Sequence, residues 1–410
     1  MTIELIRRPG QTATDLASLE TLLSVRGIAV STQPLYALAG LVPPDTMKGL
    51  DPAASLLVTA IQQQSRILII GDYDADGATS VALMIEGLRL LGARHVEYLV
   101  PNRFEYGYGL SPELVDLALA QRPDLIITVD QGIVSFEGVA AAKAAGVRVI
   151  VTDHHLPGQG LPAADAIVNP NQNDCEFPSK ALAGVGVAFY LLIKTRTLLV
   201  AAWPEGSDRI NLAQLLDLVA LGTVADLVPL DENNRRLVQS GIKRIRAGRA
   251  RPGIQALIEI SGLDHRVLTT TQLAFNVAPR LNAAGRLEDM SLGVACLLAT
   301  PEAAQASAAR LDELNRTRRE IEQSMQAQAA ELLLAVGRAP DSARFGISLF
   351  DSRWHEGVVG ILASRVRAQC ARPVFAFAEA SNGLLKGSGR SIEGLQLRDL
   401  LAEMDAARQG

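Results

Sequence analysis

The chain has 410 residues, a formal net charge of −5 and a pI near 5.7, which leaves room for about two or three domains and excludes a globally basic nucleic-acid binder, though not a local basic groove. Its three cysteines, Cys175, Cys296 and Cys370, are widely separated with no C-x-x-C pair, which excludes a disulfide framework or a zinc ribbon. No apolar stretch reads as long enough to cross a bilayer and MTIELIRRPGQ lacks the apolar core of a signal peptide, so a soluble, cytoplasmic protein with no membrane partner is expected.

Residues 1–65 read as a helical extension packed on the core, with apolar residues at helical spacing in ATDLASLETLLSVRG and a second helical stretch in SLLVTAIQQQ. From Arg66 a strand-helix alternation begins. Strands RILII, VEYLVP, DLIITVD and VRVIVTD are separated by helical segments, one of them opened by the Ser111-Pro112 cap. That pattern predicts an α/β fold with a mostly parallel, doubly wound sheet covered on both faces. The long helical pattern over 301–337 is expected to join it to a smaller α/β domain built around FGISLF and PVFAFAE.

Such sheets place their working residues just past the carboxyl ends of the strands. The strand RILII runs into Gly71 and then Asp72, Asp74 and Asp76, carboxylates at every second position. Like charges at the end of a buried strand repel one another unless a cation joins them, so a divalent metal is the first reading. A solvated turn and a helix-loop-helix calcium loop are the alternatives, and the latter lacks its glutamate because the twelfth position from Asp72 is Leu83. DLIITV delivers Asp130, VRVIVT delivers Asp153, His154 and His155, and the apolar run LLDLVALGTVADLVPL delivers Asp226, read here as a fourth strand end. Carboxylates with histidine suit manganese or magnesium, and together they predict a site for two ions.

The combination GDYDADG, TVDQG, VTDHH and GTVADLVPL resembles the DHH phosphoesterase superfamily. Within it, PNRFEYGYGLS, NPNQ, LAGVGVAFYL, PRLNAAGRLEDM, WHEGVVGILASR and KGSGRSIEG resemble the RecJ-type exonuclease family, from about Arg66 to the end of the chain. The resemblance implies 5′-to-3′ hydrolysis of single-stranded DNA to 5′-mononucleotides with two Mn2+ or Mg2+ ions, in repair and recombination. It also implies a single-strand binding protein and a helicase as partners. Carried over by position, Asp74, Asp76, Asp130, His154 and Asp226 match metal ligands, with Asp72 beside them as ligand or support, and His155 faces the scissile phosphate. Arg103, Arg280, Ser388 and Arg390 match the grip on the 5′-terminal phosphate. Arg286 is open between that role and a structural ion pair. The implied division is 66–300 for the catalytic domain, 301–337 for the connecting helix and 338–410 for a substrate-binding domain. The family's further glycine-glycine-histidine motif and OB-fold do not occur before Gly410, so that last domain is expected to be incomplete.

Other features stay open at this stage. RRLVQSGIKRIRAGRARPG over 235–253 and NRTRRE over 315–320 are either a path for a nucleic-acid backbone or solvated helix faces. Tyr106, Tyr108 and Trp354 are candidates for base stacking or for packing at a domain seam. A phosphodiesterase for dinucleotides or short oligonucleotides and a non-catalytic replication scaffold are competing functions, the latter opposed by the presence of every matched acid and His154.

Overall fold

The computed structural model describes residues 36–202, 210–337, 345–380, 383–397, 399–401 and 403–404. The stretch ATDLASLETLLSVRG lies outside them, whereas SLLVTAIQ falls on helix α1, Leu50–Gln62. Strands β1 (Ile67–Gly71), β2 (Val96–Leu99), β3 (Leu125–Val129), β4 (Arg148–Thr152) and β5 (Ala166–Val168) form one parallel sheet in the order β2-β1-β3-β4-β5. Successive residues point to opposite faces, and both faces are covered. Ile67, Ile69, Ile127 and Val129 pack under α1 and α2 (Ala75–Leu90), while Leu68, Ile70, Ile126 and Val149 pack under α3 (Pro112–Leu119) and α4 (Phe136–Ala144). This double burial is why the strands read as unbroken apolar runs. The Ser111 hydroxyl accepts from the Leu114 amide with Pro112 in the first turn, so α3 starts where its cap predicts.

The strand order reverses between β1 and β3, and at such a switch point the loops part and leave a crevice at the carboxyl edge. Helices α5 (Gly184–Ala202), α6 (Leu216–Ala225) and α7 (Glu232–Arg246) close the α1 side. By length and composition α5 is apolar enough to cross a membrane, which corrects the sequence expectation. Here it is a core helix, with Val185, Ala188, Phe189, Tyr190 and Leu191 all buried. LDLVALGTVA is α6 rather than a strand, and Asp226 is its C-terminal cap residue; three strand ends and one helix end therefore meet at the edge. A helix buried on every side is apolar on every side, so its period is lost and it imitates a buried strand.

Helices α8 (Pro252–Ile260), α9 (Ala278–Leu287) and α10 (Ser291–Leu297) lead into the long α11, Pro301–Gly337. Beyond it, β6 (Ile347–Phe350) pairs in parallel with β7 (Val374–Glu379), and β8 (Leu385–Arg390) pairs antiparallel with β7. Helix α12, Val359–Cys370, packs on this small sheet with Trp354 and with Met325 and Ala329 of α11. The glycine-rich KGSGR is therefore part of a strand. Trp354 is buried and donates its indole N–H to Gln328 at 3.0 Å, so it is a packing residue at the seam. The basic run at 235–253 is largely consumed internally. Arg235 and Arg246 donate to the carbonyls of Leu230 and Leu268, and Arg251 pairs with the buried Asp217 and with Glu86. In NRTRRE, Arg316 pairs with Asp312 and Arg318 with Glu322.

Candidate metal centre and phosphate cavity

Each acid reaches the carboxyl edge by a different local device. Asp74 caps α2, its Oδ1 accepting from the amides of Asp76 at 2.9 Å and Gly77 at 3.0 Å. Asp76 sits in the first turn of α2 and accepts from the amides of Gly184 at 2.6 Å and Val185 at 3.0 Å, so the positive end of α5 is spent on this buried carboxylate. Asp130 follows β3 with φ of 61°, a left-handed conformation that is uncommon outside glycine and concentrates at functional sites. Glycines make the crowding possible. A Cβ on Gly184 would lie 2.6 Å from Asp130, and one on Gly222 would lie 2.7 Å from the Asp76 Oδ1.

The side chains converge in overlapping groups whose donor atoms all lie within 4.8 Å of one another: Asp72 with Asp74 and Asp130, Asp76 with His154 and Asp226, and Asp130 with His154 and His155. Asp76 and Asp130 are 1% and 2% exposed. Burial, then the neighbouring acids, raises both pKa values well above the carboxylate range. Burial followed by Asp74 pushes Asp72 up to about 8 and Asp226 up to about 7. His154 moves the other way, down to about 4, through burial and then the charge of His155, so it is neutral at pH 7. With the Leu182 backbone hydrogen-bonded to its ring, the His154 Nε2 faces Asp130 Oδ1 at 3.1 Å and Asp226 Oδ2 at 3.5 Å. Nε2 and Asp130 Oδ1 are both buried without a hydrogen-bond partner. Lone pairs aimed at one another in a dry site are a donor set for a cation, and carboxylates with a single imidazole suit manganese or magnesium.

His155 stands apart from this set electrostatically. Its Nδ1 lies 2.8 Å from Asp153 Oδ1, and this hydrogen bond is the main cause that lifts its pKa to about 9 against the cost of burial. Asp153 is held rigidly, accepting also from the amides of Ile133, His154 and His155. Burial pushes the Asp153 carboxyl up, but the His155 hydrogen bond and charge and these amides outweigh it and hold it low. Asp153 is thus a positioning residue, foreshadowed in the sequence only as one more acid at a strand end. The Tyr108 hydroxyl is 3.3 Å from the same His155 Nδ1, which places Tyr108 at the site; Tyr106 packs instead on the α3–α4 face.

A cavity of about 310 Å³ runs from Asp72 and Asp74 across the seam to the second sheet. Arg103, Arg286, Ser388 and Arg390 line it, and Arg103 lies over the Tyr73 ring at 4.6 Å. Lys386 clasps the two sides, donating to Glu356 at 2.9 Å and to the Arg103 carbonyl at 3.3 Å. Ser388 and Arg390 are two apart on β8 and share a face, with Arg390 Nη1 donating to Ser388 Oγ at 2.9 Å. Arg286 donates to the Gly357 carbonyl at 3.3 Å. Burial and then the charge of Arg103 lower its pKa to about 10. Among the described residues none of Arg103, Arg286 and Arg390 is ion-paired with a carboxylate, so this end of the cavity calls for an anion.

Arg280 departs from its expected place. Its Nε and Nη2 each lie 2.8 Å from Asp312 Oδ1, it donates to the Asn276 carbonyl, and it does not line the cavity. Arg286, six residues further along α9, takes the position instead. Six residues turn a helix by about 240°, so the two arginines cannot share a face.

The DHH family, N-terminal domain, matches residues 66–223 and the DHHA1 domain matches 343–410. The single-stranded-DNA-specific exonuclease RecJ of Salmonella typhimurium is 54% identical over 391 residues, covering 94% of this chain and 68% of the relative. A crystal structure of exonuclease RecJ bound to manganese superposes with a TM-score of 0.73 at 34% identity, over 91% of this chain and 87% of that one. RecJ of Thermus thermophilus in complex with Mg2+ gives 0.69 at 31% identity, over 94% of this chain and 50% of that one. With the acids and imidazoles gathered at the switch point and a relative of this identity spanned over two thirds of its length, the chain belongs to the RecJ family of DHH-type single-stranded-DNA-specific exonucleases.

Proposed function

We propose that this chain removes nucleotides one at a time from the 5′ end of single-stranded DNA by metal-dependent hydrolysis, releasing 5′-mononucleotides. The observation that carries this reading is the cavity itself, with Asp72 and Asp74 at one end and, at the other, arginines that make no ion pair with a carboxylate among the described residues. A terminal phosphate seated among Arg103, Arg286, Ser388 and Arg390 leaves the first internucleotide phosphate to meet the acids. A terminal phosphate also carries more negative charge than an internal one, which favours an end over the middle of a strand.

Asp76, His154 and Asp226 would hold one ion, and Asp72, Asp74 and Asp130 another, with Asp130 Oδ1 also 3.1 Å from His154 Nε2. Two divalent cations, when bound, lower the pKa of water and neutralise charge on the phosphate. The chain's own groups supply the rest. His155 keeps its proton because Asp153 holds Nδ1, which leaves Nε2 free to donate to a phosphate oxygen as negative charge grows there. Tyr108 fixes the ring from the open side.

Residues 66–300 are assigned as the catalytic unit, 301–337 as the connecting helix and 338–410 as the unit that completes the phosphate cavity. Family resemblance supports a cytoplasmic setting and work alongside a single-strand binding protein and a helicase. The test is purified protein with Mn2+ and an oligonucleotide labelled at either end, with duplex and Asp130→Ala controls. Mononucleotide release from the 5′ end, absent in the control protein, is the expected result. Turnover confined to dinucleotides would replace the substrate, and release from the 3′ end would overturn the polarity.

A further inference from the structure

A second cavity of about 380 Å³ adjoins the first, and Arg286, Gly360 and Arg390 line both. It adds Ser364, Arg365 and Arg367 from α12 and contains none of the carboxylates of the metal cluster. All its charged lining residues are arginines, and among the described residues no aromatic side chain lines it on which a base could stack. Arg365 shares Glu322 with Arg318. Arg367 is exposed, and among the described residues it makes no ion pair with a carboxylate. Arg390 bridges the two spaces, its Nε donating to Ser364 Oγ at 2.9 Å while its Nη1 reaches Ser388. Gly360 keeps the junction open. A Cβ there would stand 3.1 Å from Arg390 Nη2 and 3.2 Å from Ser388 Oγ and so would crowd both side chains.

We infer that the second cavity receives the outer phosphates of a 5′-di- or triphosphate terminus, so that the chain also degrades strands that end in a polyphosphate. This rests on the first cavity being the seat of the innermost phosphate. Each added phosphate brings charge that the arginines lining the second cavity can meet with N–H donors. The bond broken does not change. Water adds to the phosphorus of the second nucleotide, the P–O3′ bond breaks, and O3′ leaves with a proton. The products are a nucleoside di- or triphosphate with a free 3′-hydroxyl and a strand one nucleotide shorter bearing a 5′-monophosphate. The phosphoanhydride bonds are untouched.

The experiment compares single strands ending in 5′-monophosphate and 5′-triphosphate with the Mn2+-loaded protein, identifying the first product by anion exchange. The expected first product from the triphosphate strand is the intact nucleoside triphosphate. Arg367→Ala is expected to lower kcat/KM on that strand roughly 10-fold, the loss of one charge-assisted contact, with the monophosphate strand unchanged and Arg367→Lys recovering part of the loss. Free tripolyphosphate is expected to inhibit cleavage of the monophosphate strand more strongly in the wild type than in Arg367→Ala. A triphosphate strand that resists cleavage while the monophosphate strand is consumed overturns this inference alone, as does an equal fall on both strands in Arg367→Ala. Inactivity on both strands strikes at the exonuclease reading beneath it.

Discussion

The two ends of the catalytic cleft are built on opposite principles. At the sheet edge, carboxylates are crowded together and held by backbone amides, with Asp76 under the α5 terminus and Asp153 accepting amides from two loops. Across the cleft, arginines are gathered with few acceptors, and among the described residues Arg286 makes no ion pair with a carboxylate and donates to the Gly357 carbonyl. Each end is unbalanced in charge, in opposite senses, and each is incomplete without a ligand of the other sign. A net charge of −5 over the whole chain shows neither, because the segregation is local.

That contrast can be broken or sharpened by substitution. The largest expected effect falls on an arginine outside both ends. Arg280→Ala leaves the buried Asp312 to the exposed Arg316 and should lower unfolding stability by about 3 kcal/mol, read by denaturant titration. Its preference for 5′-phosphorylated over 5′-hydroxyl strands should stay as it is, and a lost preference would return Arg280 to the phosphate cavity. Next, His155→Ala removes the donor proposed to face the scissile phosphate and should cost roughly 10²–10³ in kcat with Mn2+ affinity preserved, measured by single-turnover kinetics and metal titration. Arg286→Ala should cost roughly 10–100-fold in kcat/KM on 5′-phosphorylated strands and little on 5′-hydroxyl strands, which separates the cationic end from the anionic one.

The smallest effect is a pH dependence of the metal-free protein. Asp72 and Asp226 have folded-state values raised to about 8 and about 7, above the ordinary 3.8, so the folded state binds more protons than the unfolded chain across that window. Stability should therefore fall as pH rises from about 5 to 8. Saturating Mn2+, which replaces the protons, should flatten the fall in Tm. A Tm that climbs through the same window without metal would mean that the acids are not crowded as described.

The anionic end was largely legible in the sequence; at the cationic end Arg103, Ser388 and Arg390 were named and line the cavity, but the choice between Arg280 and Arg286 was not legible, for a geometric reason. Asp72, Asp74, Asp130 and the Asp153–His155 tripeptide follow strands buried on both faces, and such strands announce their own ends. Asp226 was found by residue type but set on the wrong element, because α6 is apolar on all sides. The arginine end depends on which way side chains turn on helix α9 and strand β8. Arg280 and Arg286 look equivalent in PRLNAAGR until a helix sends them to different faces. Ser388 and Arg390 were named from KGSGR, but their shared face follows only from β8 being a strand. Asp153 carried no separate signal, since its work is done through His155.

Helix α11 holds both walls of the phosphate cavity. Asp312 near its first third fixes α9, and with it the helix that carries Arg286. Glu322 and Gln328 further along fix Arg365 of α12 and Trp354 at its approach. These anchor points span 16 residues, about 24 Å along one continuous rod. The gap between Arg286 and Arg390 is therefore gauged like the jaws of a caliper on a single beam. A tilt of the small sheet about that beam changes the angle between the two walls more readily than the width they offer to a phosphate.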